Sequence, residues 1–251
     1  MINELLLISG NDIPFIEAQL VIHQPSIKEI GYIVGGEEFF WSGCGTLNFS
    51  LENLSEEDRN NLGNKTDFEV LMSMLLDNSH PALRESRIKV LSVLSLIFPE
   101  YYIKLTYQSI IFSKEGEEDR RINAQNFNRF KEILSTMFCL KGKGSDNAEY
   151  NPAGAYAKKI ADKLKQRKQK LAEKNGEQKI AILSRYASIL AVGQRKSLND
   201  YIGYTVYQIF DEYERFELKE EYDLYIKEML AGAKDVKTPE HWKKDIHPDI
   251  K

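Results

Sequence analysis

Three short apolar runs open the chain: Ala18 to Ile22 after Glu17, Ile30 to Val34 after Glu29, and Phe39-Phe40-Trp41 after Glu38. Runs this short, rich in Val, Ile and aromatic residues, predict strands. Gly35-Gly36 between the second and third predicts a hairpin-type turn, because glycine reaches positive φ without steric cost. Pro25 closes the first run, since it cannot donate to a ladder and biases Gln24 towards extended geometry. The period changes at Thr66. Thr66 and Glu69 have capping-box spacing, and Phe68, Leu71, Met72, Leu75 and Leu76 follow at helical spacing. Pro81 breaks the chain, and a second helix is expected from about Arg84 to Phe98, stopping before Pro99. Tyr101 to Thr106 and Gln108 to Phe112 return to strand composition, followed by a charged turn from Lys114 to Asp119. A third helix, about Gln125 to Leu140, carries Phe127, Phe130, Ile133, Leu134, Met137 and Phe138 on one stripe.

Lys141 to Asn147, with two glycines among polar residues, reads as a linker, and the pattern beyond it is helical. Asn151-Pro152 is a helix-start pair and Asn175-Gly176 a helix-end pair. The next helix, Gln178 to Val192, is apolar around most of its circumference, which predicts the buried centre of a bundle. Ser197 or Asn199 then caps a long segment through Phe216, and a final helix near Glu220 to Leu230 ends at Gly232. The expected fold is α+β. Residues 1–147 form a small, largely antiparallel sheet with helices, and residues 148–251 an all-helical bundle with a loose tail from about 237. No 20–50-residue period repeats, which excludes a solenoid.

Composition narrows the class without naming it. Of 251 residues, 42% are hydrophobic, too many for a disordered chain, and the net charge of −4 argues against bulk affinity for nucleic acid. Two cysteines, Cys44 and Cys139, exclude a disulfide scaffold and fit a reducing compartment. No apolar run approaches the ~18 residues that span a bilayer. Glu4 stands where a signal peptide would be basic, so a cytoplasmic location is expected. Asp77 with His80, and Asp245 with His241, share helical spacing, but neither pair has the further ligands a zinc site needs. Gly142-Lys143-Gly144-Ser145 lacks the first glycine of a phosphate loop, because Met137 holds that position. Cys44 reads as a small buried hydrophobe rather than a nucleophile. The expectation is a protein without catalytic residues, cofactor or metal.

Charge is more informative. Residues 158–179 hold nine bases against three acids, a net +6, including Lys158, Lys159, Lys163, Lys165, Arg167, Lys168 and Lys170. Residues 211–228 hold eight acids against three bases, a net −5, beginning with Asp211, Glu212 and Glu214. These are either two solvated helix faces or complementary surfaces, within one chain or between head-to-tail copies. Nucleic-acid binding by 158–174 is disfavoured, because the aromatic interleaving of single-strand binders is missing there. Aromatic residues instead recur after 200, among them Tyr207, Phe210 and Tyr213, and they suit helix packing or a wet protein interface.

The order of features resembles a known family. Ile22-His23-Gln24-Pro25-Ser26-Ile27-Lys28-Glu29-Ile30 leads into Gly31-Tyr32-Ile33, and Ser197-Leu198-Asn199-Asp200-Tyr201 precedes Thr205-Val206-Tyr207-Gln208-Ile209-Phe210-Asp211-Glu212-Tyr213. This is similar to the tail assembly chaperones of long-tailed bacteriophages infecting low-GC bacteria. The resemblance implies a non-catalytic protein of the bacterial host cytoplasm that coats the tape measure protein, keeps it soluble while the tail tube assembles, and then leaves. The tape measure protein and the tail tube protein are the implied partners. Partner-binding residues are expected in the basic set Lys158, Lys159, Lys163, Lys165, Arg167, Lys168 and Lys170 and in Tyr207, Phe210, Asp211, Glu212, Tyr213 and Glu214. Two other classes stay open: a nucleic-acid-binding regulator using 158–174, and a permanent virion component such as a head–tail connector subunit.

Overall fold

A computed structural model of the chain describes residues 2–53, 55–140 and 182–232, together with 238–239 and 241–243. Helix α1, Glu4–Ser9, is capped by the Asn3 side chain, which accepts from the Leu5 amide at 3.0 Å. Strands β1, Ile13–Phe15, and β2, Leu20–Ile22, pair antiparallel, with Ile13 opposite Ile22 and Phe15 opposite Leu20. Alternation sends those four side chains into the core and leaves Pro14 and Val21 outside.

The two strands expected next are helices. Ser26 and Glu29 form a reciprocal capping box that starts α2, Ile27–Gly31, and α3 spans Gly36–Leu47. Buried Phe40, Gly43, Cys44 and Leu47 follow the helical spacing i, i+3, i+4, i+7, which a four-residue window around Phe39-Phe40-Trp41 cannot show. Gly35, at φ +89°, precedes α3 and makes no hairpin turn; a side chain there would run into Phe39.

Helix α4, Glu56–Leu62, leads to α5, Asp67–Leu76, where Thr66 and Glu69 form the expected capping box. Helix α6, Pro81–Ile97, begins at the proline expected to break the chain, because Pro81 sits at the first helical position where no amide is needed. Strands β3, Tyr102–Leu105, β4, Ser109–Ser113, and β5, Arg120–Asn123, form an antiparallel sheet in sequence order. The sequence reading did not include β5, whose arginines hide the single buried residue, Ile122. Helix α7, Phe127–Met137, buries the stripe assigned to it: Phe127, Phe130, Ile133, Leu134 and Met137. At roughly 1.5–3 kcal/mol for each buried apolar side chain, that stripe is a major stabilising face.

Two helices follow in the described residues, α8, Ile182–Gln194, and α9, Val206–Leu230. The helix break expected near residue 217 is absent, and α9 runs unbroken for 25 residues. Nor is α8 buried all round: Leu183, Ala187, Leu190 and Ala191 face inward, while Val192 is 81% exposed. The fold is α+β, with small antiparallel sheets and a helical C-terminal part. One core joins Leu7, Phe15, Phe98, Phe112 and Phe130 to Leu183, Leu190, Tyr201, Tyr207 and Ile209. The expected boundary at 147/148 lies outside the described residues.

Candidate interaction surface

Helix α9 is fixed at its base by backbone and side-chain hydrogen bonds. The Thr205 side chain accepts from the Gln208 amide, Gln208 Oε1 accepts from the Thr205 amide at 2.8 Å, and Gln208 Nε2 donates to the Ile8 carbonyl at 2.7 Å. The loop before it is held by α2, whose Ile27 and Lys28 amides donate to the Tyr204 and Ile202 carbonyls, each at 2.9 Å. Helix α8 buttresses one side. Its Leu183 amide donates to Glu37 Oε1 at 2.7 Å, and the same oxygen accepts from Trp41 Nε1 at 2.9 Å.

These contacts place the residues that sequence reasoning assigned to a partner. Tyr207 is a correction to that reading: it is only 1% exposed, inside the core, and burial raises its phenol pKa well above the ordinary 10. Phe210 is half-buried and meets Trp41 and Tyr186 edge-on, with ring centres 6.3 and 5.3 Å apart. Tyr213 stacks on Tyr186 at 3.8 Å and donates to Glu217 at 2.8 Å. Burial pushes its pKa up to about 12, with the Glu217 carboxylate adding to the shift. Asp211 pairs with Arg215 at 3.1 Å, and Glu212 accepts from Gln194 at 2.6 Å. Glu214 is half-buried on the same stretch. Burial, helped by Asp211 and Glu214, pushes the Cys139 thiol up to about 12. This stretch is therefore an internal seam. The basic residues Lys158, Lys159, Lys163, Lys165, Arg167, Lys168 and Lys170 lie outside the described residues.

The exposed part of α9 begins one turn later, inside the acidic stretch 211–228 that the sequence offered as a complementary surface but beyond the partner-binding residues named from it. From Glu217 to Leu230 the helix runs about 20 Å at 1.5 Å per residue, exposing Leu224, Ile226, Met229 and Leu230. Tyr222 and Tyr225, on one side, are met by His241, 4.9 Å from the Tyr222 ring, and by the Thr238 hydroxyl, 3.3 Å from the Tyr225 oxygen. Asp223 pairs with Lys219 at 3.0 Å, whereas Glu220, Glu221 and Glu228 have no ion-pair partner among the described residues. The result is an arm with a stiff base, an acidic surface and apolar side chains in solvent. Leu230 is 83% exposed.

Neither cysteine presents a thiolate, for burial also raises the Cys44 pKa well above its ordinary value. Among the described residues, no group of three His, Cys, Asp or Glu side chains could hold a metal ion, and no helix is long and apolar enough to cross a membrane.

Residues 173–247 match the model of the YomV second domain, a phage-derived family. The matched stretch contains α8, the loop ahead of α9, and the whole of α9. It supports a phage-related protein. No curated protein matches the chain, and no solved structure matches it.

Proposed function

We propose that this chain is a non-catalytic tail assembly chaperone of a long-tailed phage, acting in the host cytoplasm on the tape measure protein. The observation that carries the reading is the arm of α9, which lies inside the phage-derived match and exposes Leu224, Met229 and Leu230 among acidic side chains. Such a surface suits an apolar helix that must be kept in solution. The exposed leucines and methionine give it apolar contact, and the surrounding carboxylates keep the joint particle hydrated and mutually repelling. Rigidity at the base lowers the ordering cost of binding. Head-to-tail association of copies, with residues 158–179 of one on the acidic arm of the next, would extend the coat along a long partner.

The direct test is co-expression with a tape measure protein, which this reading expects to be encoded directly after the chain. Soluble tape measure protein should co-purify with the wild-type chain and be lost with the double change Leu224→Asp and Leu230→Asp, both at exposed positions. Equal solubility of the tape measure protein with and without this chain would overturn the reading. Salt-sensitive retardation of DNA or RNA would favour the nucleic-acid alternative, and recovery of the chain in purified virions a structural one.

A further inference from the structure

We propose that His23 is a proton-dependent tie holding α2 in place and, through α2, the loop that carries α9. The His23 amide donates to the Ile97 carbonyl at the end of α6 at 2.9 Å, so the residue's backbone is anchored. Its ring lies between two carboxylates: Nδ1 is 2.9 Å from Asp12 Oδ1 and Nε2 is 3.1 Å from Glu29 Oε1. Both acceptors lack a proton when ionised, and a neutral imidazole has only one N–H to offer. Only the doubly protonated ring makes both bonds. On losing a proton, one ring nitrogen turns its lone pair towards a carboxylate oxygen, and one arm of the tie repels.

What the tie holds is specific. Glu29 Oε2 accepts from the Ser26 amide at 2.8 Å and the Ser26 hydroxyl at 2.6 Å, closing the first turn of α2. The next two amides of that turn, Ile27 and Lys28, are the donors to the Tyr204 and Ile202 carbonyls, and Ser26 bridges to Thr205. Displacing Glu29 therefore loosens the segment from which α9 starts. The other charges near His23 line the same cleft of about 510 Å³. They neutralise one another, Lys114 with Glu100 and Arg120 with Glu117, both at 2.6 Å. The field on the ring is set by Asp12 and Glu29.

Burial of the ring opposes its charge, but hydrogen bonds and charge from Asp12 and Glu29 outweigh burial and raise its pKa above 6.5. A raised pKa contributes stability that is complete below the unfolded value and is lost as pH rises through the folded one. The Glu29 carboxyl, lowered by Ser26 and His23 against its own burial, contributes above its ordinary 4.5 and fails as pH falls through its lowered value. The tie is thus tightest in mildly acidic solution and relaxes on the alkaline side.

NMR of the full chain tests this, following the His23 ring nitrogens and the exchange of the Ile27 and Lys28 amides from pH 5 to 9. With rates corrected for intrinsic exchange, the wild type should show both ring nitrogens protonated at the acidic end. Amide protection should then fall several-fold with the midpoint of the ring titration. In His23→Gln the corrected protection should be independent of pH, and in Asp12→Asn the ring midpoint should move down with the fold retained. A His23 midpoint at or below that of free histidine, or the same loss of protection in His23→Gln, would overturn the proposal.

Discussion

Gly43 lies where α3 packs against the α6 backbone, and it gives a prediction whose sign can be worked out. A Cβ built on Gly43 would lie 2.7 Å from the Lys89 carbonyl oxygen and 2.7 Å from Val93 Cγ2, against an ordinary contact of 3.4–4 Å. The carbonyl belongs to the α6 backbone and cannot rotate away, so the two helices must part by roughly 0.7–1 Å, enough to forfeit a quarter to a half of each close dispersion contact. The affected face is fully buried: Phe40, Cys44 and Leu47 on α3, and Val90, Val93, Leu94 and Ile97 on α6. Overpacking of this kind costs ~1–3 kcal/mol, and backbone obstruction places Gly43→Ala near the top of that range. Alanine recovers ~1 kcal/mol of helix propensity, leaving a net loss of ~2 kcal/mol. Gly45 is the control: on the same helix, its Cβ would meet nothing within 4 Å. Gly45→Ala should therefore stabilise by ~0.5–1 kcal/mol. Urea unfolding of the two variants should bracket the wild type, with midpoints shifted in opposite directions at unchanged slope. If Gly43→Ala unfolds at or above the wild-type midpoint, the account of the α3–α6 crossing is refuted.

Two further outcomes test other layers of the argument. Lys131 pairs with Asp67, which also accepts from the Leu51 amide at 2.9 Å. Burial works to raise the Asp67 pKa, yet Lys131 and that amide hold it below the ordinary value, so its contribution to stability is present above that value and lost as pH falls through the lowered one. Lys131→Met should cost ~1–3 kcal/mol at neutral pH and flatten the acid limb of the stability profile measured by denaturant titration. For the proposed head-to-tail contact, light scattering should show assemblies that loosen as salt shortens the screening length from ~10 Å at 0.1 M to ~3 Å at 1 M. Reversing Lys163, Lys165 and Lys170 to Glu should prevent association with helix content intact, and a monomer at every salt concentration for both proteins counts against the contact.

Legibility differed by element for physical reasons. The α7 stripe and the Thr66–Glu69 cap were readable because each is written within one or two turns, and the structure builds both as expected. Helix α2 carries the same kind of cap, Ser26 with Glu29, but Gly31 and the β-branched residues around it outweighed that signal in a short window. Strand β5 is the reverse case. Arg121 is exposed, Arg120 lies over the Tyr101 ring on the face of buried Ile122, and the strand's place is set by pairing with β4, Ile110 opposite Ile122, which is a tertiary fact.

The arm shows why a proposed binding surface is harder to read than a core. Before and after residue 217, α9 has the same mixture of acids, tyrosines and aliphatics, and no local feature marks the change from seam to solvent. What marks it is distance from the base: Tyr186 on α8 reaches Tyr213, Gly193 lies against Phe216, and farther along the helix Leu224, Ile226, Met229 and Leu230 are exposed. Sequence reasoning therefore chose Tyr207, Phe210 and Tyr213, whose aromatic character suits an interface, when those rings are used to attach the helix to its own chain. Continuity of the 25-residue helix then makes the two halves dependent. The buried half fixes the direction of the exposed half, so a change that loosens the attachment should weaken the proposed partner binding without touching an exposed residue of the arm.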